Sequence, residues 1–292
     1  MNIYVNGSLI AEEQAVVSVY DHGFLYGIGL FETLRTYNGQ PFLLKEHQDR
    51  LIAGCEQLGM DYQPGTGEWE GIIESLLKAN GLEDAYFRFT VTAGEDILGL
   101  PAGEYCKPNL IVYVKGLPAR DEKLYREGKP LQLLTLPRNT PEGSVRFKSL
   151  HYMNNILAKR EMKRYLWAGG AEGLQTDKQG FLAEGIVSNL FFVKDGQLHT
   201  PTLDTGILPG ITRAFVMDLA KQLGIAVEEG WYRWGDLQLA DEAFITNSIQ
   251  EIVPVTTLYD PEGHSRMVGS GTSGPVTRRL IEQYGHHTII RK

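Results

Sequence analysis

Cysteine is scarce in this 292-residue chain, where Cys55 and Cys106 are the only two. Neither stands in a CxxC pair or at ligand spacing from a histidine, so the sequence supports neither a disulfide framework nor a zinc site, and no metal is expected. No apolar run approaches the ~20 residues that a spanning helix needs. The opening MNIYVNGSLI has neither the basic nor the apolar region of a signal peptide. A cytoplasmic chain with no membrane partner is the expectation. Basic residues are the minority, 28 Lys and Arg against 36 Asp and Glu, for a net charge of −8. The one basic tract is the terminal one ending in Arg291 and Lys292, so nucleic acid is not an expected partner. Phosphate-binding glycine motifs are incomplete. YGIGLFE puts Glu32 where a dinucleotide fingerprint needs its third glycine, and GSGTSGP lacks the Lys-Ser/Thr of a P-loop.

The length suits about two domains. IYVNGSLI is apolar on both sides of Asn6-Gly7, the dipeptide of a tight I′ hairpin. Leu44, Leu51, Ile52, Cys55 and Leu58 keep helical spacing, as do Ile72, Ile73, Leu76 and Leu77 before Asn80-Gly81. AYFRFTVTA alternates, with Phe87, Phe89 and Val91 on one face and Arg88, Thr90 and Thr92 on the other. The charged stretch 118–127, bounded by Gly and Pro, reads as a linker between a small α+β domain (1–117) and a larger α/β domain (128–292). In the second part the pattern predicts a strand at 131–136, a helix from about Leu150 to Trp167, a strand at 189–193, a helix opened by LPGIT, a buried strand at 242–247 and a last helix at 275–285. Helices and strands mix without a βαβα rhythm, which points to the α+β class.

The chemistry gathers in three places. VRFKSLHYMNN sets Lys148 just ahead of a helix start. FLAEGIVSNLFFV surrounds Glu184 with apolar residues, so its carboxylate needs a cationic partner, a role a protonated ring nitrogen would fill. LPGIT opens a helix whose N–H groups at Ile211 and Thr212 suit a phosphate, and TNS adds Asn247 and Ser248. An amine nucleophile, a carboxylate for a pyridinium and a phosphate cradle describe pyridoxal 5′-phosphate. Each feature also has an ordinary reading: a solvated lysine, a paired structural carboxylate, a well-capped helix.

At the same residues the chain resembles the fold type IV pyridoxal-phosphate enzymes, the group of branched-chain aminotransferases, D-amino-acid aminotransferases and aminodeoxychorismate lyases. YDHGFLYGIGLFETLRTYNGQPFLL is similar to the family's first-domain signature, and HQDRL carries its phosphate-binding arginine as Arg50. KSLHYMNN carries the covalent lysine as Lys148, and Glu184 matches the residue facing the ring nitrogen. LPGITR and TNSIQEIVP match the two phosphate segments. The resemblance implies a two-domain D-amino-acid aminotransferase-like fold, a homodimer, a small-molecule substrate met by Tyr26, Phe31 and Arg88, and Tyr152 one helical turn beyond Lys148 at the ring oxygen. PRNTPEGS, KSLHYMNNILAKRE and DTGILPGITR bring the chain nearest the aminodeoxychorismate lyases of Bacillus-type bacteria. These form 4-aminobenzoate and pyruvate for folate synthesis. Ala93 stands where the D-amino-acid enzymes use an arginine, whereas Arg88 also matches the branched-chain enzymes. A branched-chain or D-amino-acid aminotransferase is thus the alternative, and a non-catalytic binding protein the remote one.

Overall fold

The computed structural model describes residues 1–289, so the basic pair Arg291 and Lys292 lies outside the described residues. The backbone divides into two compact units. One is Met1–Ala119 with Phe147–His151; the other is Arg120–Arg146 with the chain from Tyr152 onward. The short stretch that carries Lys148 therefore belongs to the first unit.

That unit begins with the hairpin β1 (Asn2–Val5) and β2 (Ser8–Ala11), where Asn6 and Gly7 take φ values of 45° and 91° as the I′ turn requires. A single turn, α1 (His22–Leu25), leads into β3 (Gly29–Tyr37) and β4 (Gln40–Pro41). Then come α2 (Leu44–Gln57), α3 (Glu68–Asn80), β5 (Ala85–Thr92) and β6 (Asn109–Gly116). The strands form an antiparallel sheet in the order β2-β1-β6-β5-β3-β4. The alternation of β5 does what its pattern predicts, since Phe87, Phe89 and Val91 are fully buried beside the apolar stripe of α3. The Trp69 ring stacks on Phe89 at 3.9 Å, and its indole N–H donates to the Tyr62 hydroxyl at 2.9 Å.

Residues 148–150 extend along β3 on the edge opposite β5. Phe31 donates its N–H to the Lys148 carbonyl at 2.8 Å, and Leu150 donates to the Gly29 carbonyl at 3.0 Å. This pairing overturns the expected helix start at Leu150. Backbone held extended against a strand cannot turn helical until the pairing ends, so Tyr152 becomes the N-cap and α5 runs only over Met153–Glu161 after α4 and β7 below. Lys148 and Tyr152 are thus not one helical turn apart.

The second unit opens with α4 (Glu122–Glu127), capped by Asp121, inside the stretch that read as a linker. Its charge and flanking glycine are those of a short exposed helix. It continues with β7 (Lys129–Leu133), α5, β8 (Glu172–Thr176), β9 (Leu182–Gly185), β10 (Asn189–Lys194) and β11 (Gln197–Pro201). Next are α6 (Ile211–Gln222), β12 (Val227–Gly230), α7 (Trp234–Gln238), β13 (Glu242–Asn247), β14 (Glu251–Tyr259), β15 (Ser265–Met267) and α8 (Pro275–Ile289). The mixed sheet runs β12-β11-β10-β13-β14-β7-β8-β9, with β15 on β14. Because β9 also pairs with β10 through Asn189 and Glu184, six of the strands close into a ring around a core that includes Leu131, Leu174, Leu190, Ile245 and Val253. Among the described residues no helix is long and apolar enough to cross a membrane.

Candidate active site

In the first unit the register of β3 and β5 sets Phe31 opposite Thr90 and Thr33 opposite Arg88, so Phe31, Thr90 and Arg88 share one face. The Arg88 guanidinium lies 3.7 Å from the centroid of the buried Phe31 ring, and its Nε donates to Thr90 Oγ1 at 3.3 Å. Lys148 Nζ is 4.8 Å from the same centroid. Each cation gains about 0.5–2 kcal/mol from the ring face, yet two like charges on one ring repel.

Tyr26 ends α1. Its hydroxyl accepts from the Gly99 N–H at 3.0 Å, its carbonyl pairs with His151 Nε2 at 3.1 Å, and its ring meets the edge of the His22 ring at 4.8 Å. Asp21 fixes this corner, accepting from Gly23 N–H, Thr92 Oγ1 and Asn109 Nδ2 at 2.6–2.7 Å. Gly27 (φ 73°) lies so close to the His151 ring that a Cβ would collide with it.

Arg50, on α2, is engaged by a residue the sequence did not single out. Its Nε and Nη2 donate to the two oxygens of Glu32 at 2.6 and 2.7 Å, and His47 Nδ1 is 2.7 Å from Oε2. Burial pushes the Glu32 carboxyl up, but the Arg50 charge and His47 outweigh it and hold the group at about 2. Burial likewise dominates at His47 and lowers its pKa despite the neighbouring carboxylate.

In the second unit Glu184 is buried where β9 meets β10. Its partner is a guanidinium: Arg138 Nε donates to Oε1 at 2.8 Å, with Arg146 Nε at 3.9 Å. The Leu208 N–H donates to Oε2 at 3.0 Å, and Asn189 Nδ2 approaches it at 3.4 Å while donating to the Leu208 carbonyl at 3.0 Å. The two asparagines of YMNN orient Arg138, since Asn154 and Asn155 accept from its Nη1 at 2.8 and 3.2 Å. Arg146 is lowered to about 10 by burial and by the charge of Arg138.

Three residues beyond Leu208, α6 starts. Its N-cap is Gly210, which has no side chain to cap the first turn and packs so tightly on Asn189 that a Cβ would clash. The N–H groups of Ile211 and Thr212 head this turn, and Thr212 Oγ1 is 3.4 Å from Ser248 Oγ. Asn247 serves the turn itself, its Oδ1 accepting from the Ile249 and Gln250 N–H groups at 3.0 and 2.8 Å. The Thr246 hydroxyl, cross-strand from Asn189, is buried without a hydrogen-bond partner, a cost of about 1–3 kcal/mol that a bound polar group removes. An uncapped helix start, two adjoining hydroxyls and an orphaned one, tied through Leu208 to a buried carboxylate, fit a phosphorylated ring with a basic nitrogen. Tyr152 is placed only as the N-cap of α5.

Residues 29–258 match the family model for amino-transferase class IV. The chain belongs to the class IV aminotransferase family. Its relatives within class IV include the aminodeoxychorismate lyase of Bacillus subtilis (strain 168), 44% identical over 260 residues, covering 88% of this chain and 87% of the relative. Among solved class IV structures, the 4-amino-4-deoxychorismate lyase from Pseudomonas aeruginosa superposes with a TM-score of 0.83 at 31% identity, covering 97% of this chain and 98% of the other. The branched-chain amino acid aminotransferase from Escherichia coli gives a TM-score of 0.85 at 29% identity, covering 98% and 93%.

Proposed function

We propose that the chain is a pyridoxal 5′-phosphate enzyme acting as an aminodeoxychorismate lyase, converting 4-amino-4-deoxychorismate to 4-aminobenzoate and pyruvate, as a homodimer in the cytoplasm. The supporting observation is the placement of Lys148 Nζ and the Arg88 guanidinium on one buried ring, Phe31. It sets an amine beside a carboxylate clamp, as an amino acid with acidic groups requires. The 44% identity to a lyase supports this reaction within the family.

When bound, pyridoxal 5′-phosphate supplies an aldehyde for the substrate amine and a ring that withdraws electrons from the amine-bearing carbon. The residues of this chain do the rest. Lys148 Nζ would be the covalent amine and the base that takes the proton from the carbon bearing nitrogen and gives one to the departing enolpyruvyl group. Glu184, held in place by Arg138, would keep a proton on the ring nitrogen. Arg50, the N–H groups of Ile211 and Thr212 and the Ser248 hydroxyl would retain the phosphate, with Asn247 shaping the turn. Tyr152 would donate to the ring oxygen. Arg88 presents a planar cation to a substrate carboxylate, with Phe31 beneath and Tyr26 at the edge.

The rival is amino-group exchange by a branched-chain enzyme, favoured by the superposition on the Escherichia coli aminotransferase. A substrate panel separates them. Formation of 4-aminobenzoate and pyruvate with no 2-oxo acid added supports the lyase; sustained exchange between branched-chain amino acids and 2-oxo acids, with no 4-aminobenzoate, rejects it.

A further inference from the structure

Glu32 and His47 take no part in the chemistry above, yet with Arg50 they form a tight, buried polar cluster in the first unit. Glu32 is 1% exposed, and its cross-strand neighbour is Phe89, itself stacked on Trp69. A carboxylate in such surroundings is costly unless both oxygens are engaged in good geometry. Here they are: Arg50 takes both with its Nε and Nη2, and His47, also 1% exposed, meets Oε2. His47 and Arg50 lie three residues apart on α2, so both project from one helix face onto β3.

Of the three, only Arg50 reaches the surface, with its side chain 20% exposed. The guanidinium is planar, and its Nε/Nη2 edge is spent on Glu32, so the Nη1 corner is turned away from the carboxylate. An ordinary surface arginine samples many rotamers and loses that freedom when it grips an anion. Arg50 has lost it already, on folding. His47 removes the remaining freedom, because it fixes the carboxylate that fixes the arginine.

We propose that Glu32 and His47 are positioning residues for phosphate binding, holding the Arg50 guanidinium in one orientation so that it meets the cofactor's 5′-phosphate preformed, without touching the phosphate themselves. This rests on the reading of Arg50 as a phosphate ligand. The pair acts through order rather than charge, since Glu32 on its own would offset the attraction of Arg50 for an anion. Releasing Arg50 therefore weakens phosphate binding even though it removes a negative charge.

The test is equilibrium binding of pyridoxal 5′-phosphate and of pyridoxal, which has the same aldehyde and no phosphate, to the full chain stripped of cofactor. The chains compared are the unaltered one, Arg50→Gln, Glu32→Gln, Glu32→Asp and His47→Gln. Arg50→Gln is expected to weaken pyridoxal 5′-phosphate roughly ten- to a hundredfold, the loss of a charge-assisted pair. Glu32→Gln and Glu32→Asp are expected to weaken it roughly three- to tenfold, the cost of immobilising one long side chain, and His47→Gln less. Pyridoxal affinity stays unchanged throughout, which also reports an intact fold. Should Glu32→Gln fail to fold, Glu32→Asp decides, because it keeps the charge but is too short for the fork. If Arg50→Gln loses phosphate affinity while both Glu32 variants bind as tightly as the unaltered chain, or more tightly, the positioning role is overturned and the phosphate reading stands. If Arg50→Gln changes nothing, the phosphate reading falls and the positioning role with it.

Discussion

Glu32 in the first unit and Glu184 in the second are both buried carboxylates paired with arginine, and the two are built differently. Glu32 is a closed pair: both oxygens are taken by side chains, a bidentate guanidinium and an imidazole. Glu184 is an open one. Arg138 holds one oxygen, while the other leans on a backbone N–H and an amide. Each carboxylate meets three donors, but those on Glu32 are all side chains of one helix, whereas Glu184 takes one from the Leu208 backbone and so ties its arginine to the turn before α6.

The largest expected effect is at the amine proposed to do the covalent chemistry. Lys148→Ala is expected to lower turnover by about 10³-fold or more, the scale of a lost general base, read as the rate of pyruvate release; near-normal turnover would remove Lys148 from the mechanism. Next is Glu184→Leu, which leaves Arg138 buried without its counter-charge and should cost about 3–5 kcal/mol, seen as a lower urea midpoint for the second unit. An unchanged midpoint would mean the open pair is solvated.

Acid sharpens the closed pair. The Glu32 carboxyl is held at about 2 in the folded chain against an ordinary 4.5. Because the folded value is the lower one, its stabilisation is complete above about 4.5 and is lost as pH falls from there towards 2. Over that window the unaltered chain should lose urea resistance faster than Glu32→Gln, which has nothing to titrate there; parallel curves would contradict the pairing. Smallest is Phe31→Leu, expected to raise the substrate KM about two- to tenfold as the ring under Arg88 and Lys148 is lost, with no shift in urea midpoint beyond that of an ordinary core substitution.

Periodic features were legible in the sequence, because local chemistry alone sets them. The Asn6-Gly7 turn, the β5 alternation and the helix ending at Gly81 all stand as their residues predict. The helix start at Leu150 was not, since pairing of 148–150 with β3, more than a hundred residues away, overrides local preference. Glu184, Thr212 and Ser248 could be named from apolar context and helix-start pattern. Their partners could not. Arg138 lies 46 residues before Glu184 and Glu32 lies 18 before Arg50. The one available hint was physical: a glutamate between Phe31 and the β-branched Thr33 in a strand needs a cation, and α2 offered Arg50 on its buried side.

The most direct measurement is borohydride reduction of the purified chain followed by peptide mass mapping. The expected result is a phosphopyridoxyl mass on the peptide containing Lys148 and on no other lysine. An adduct on a different lysine, or a colourless chain with none, would contradict the assignment of Lys148 as the covalent amine.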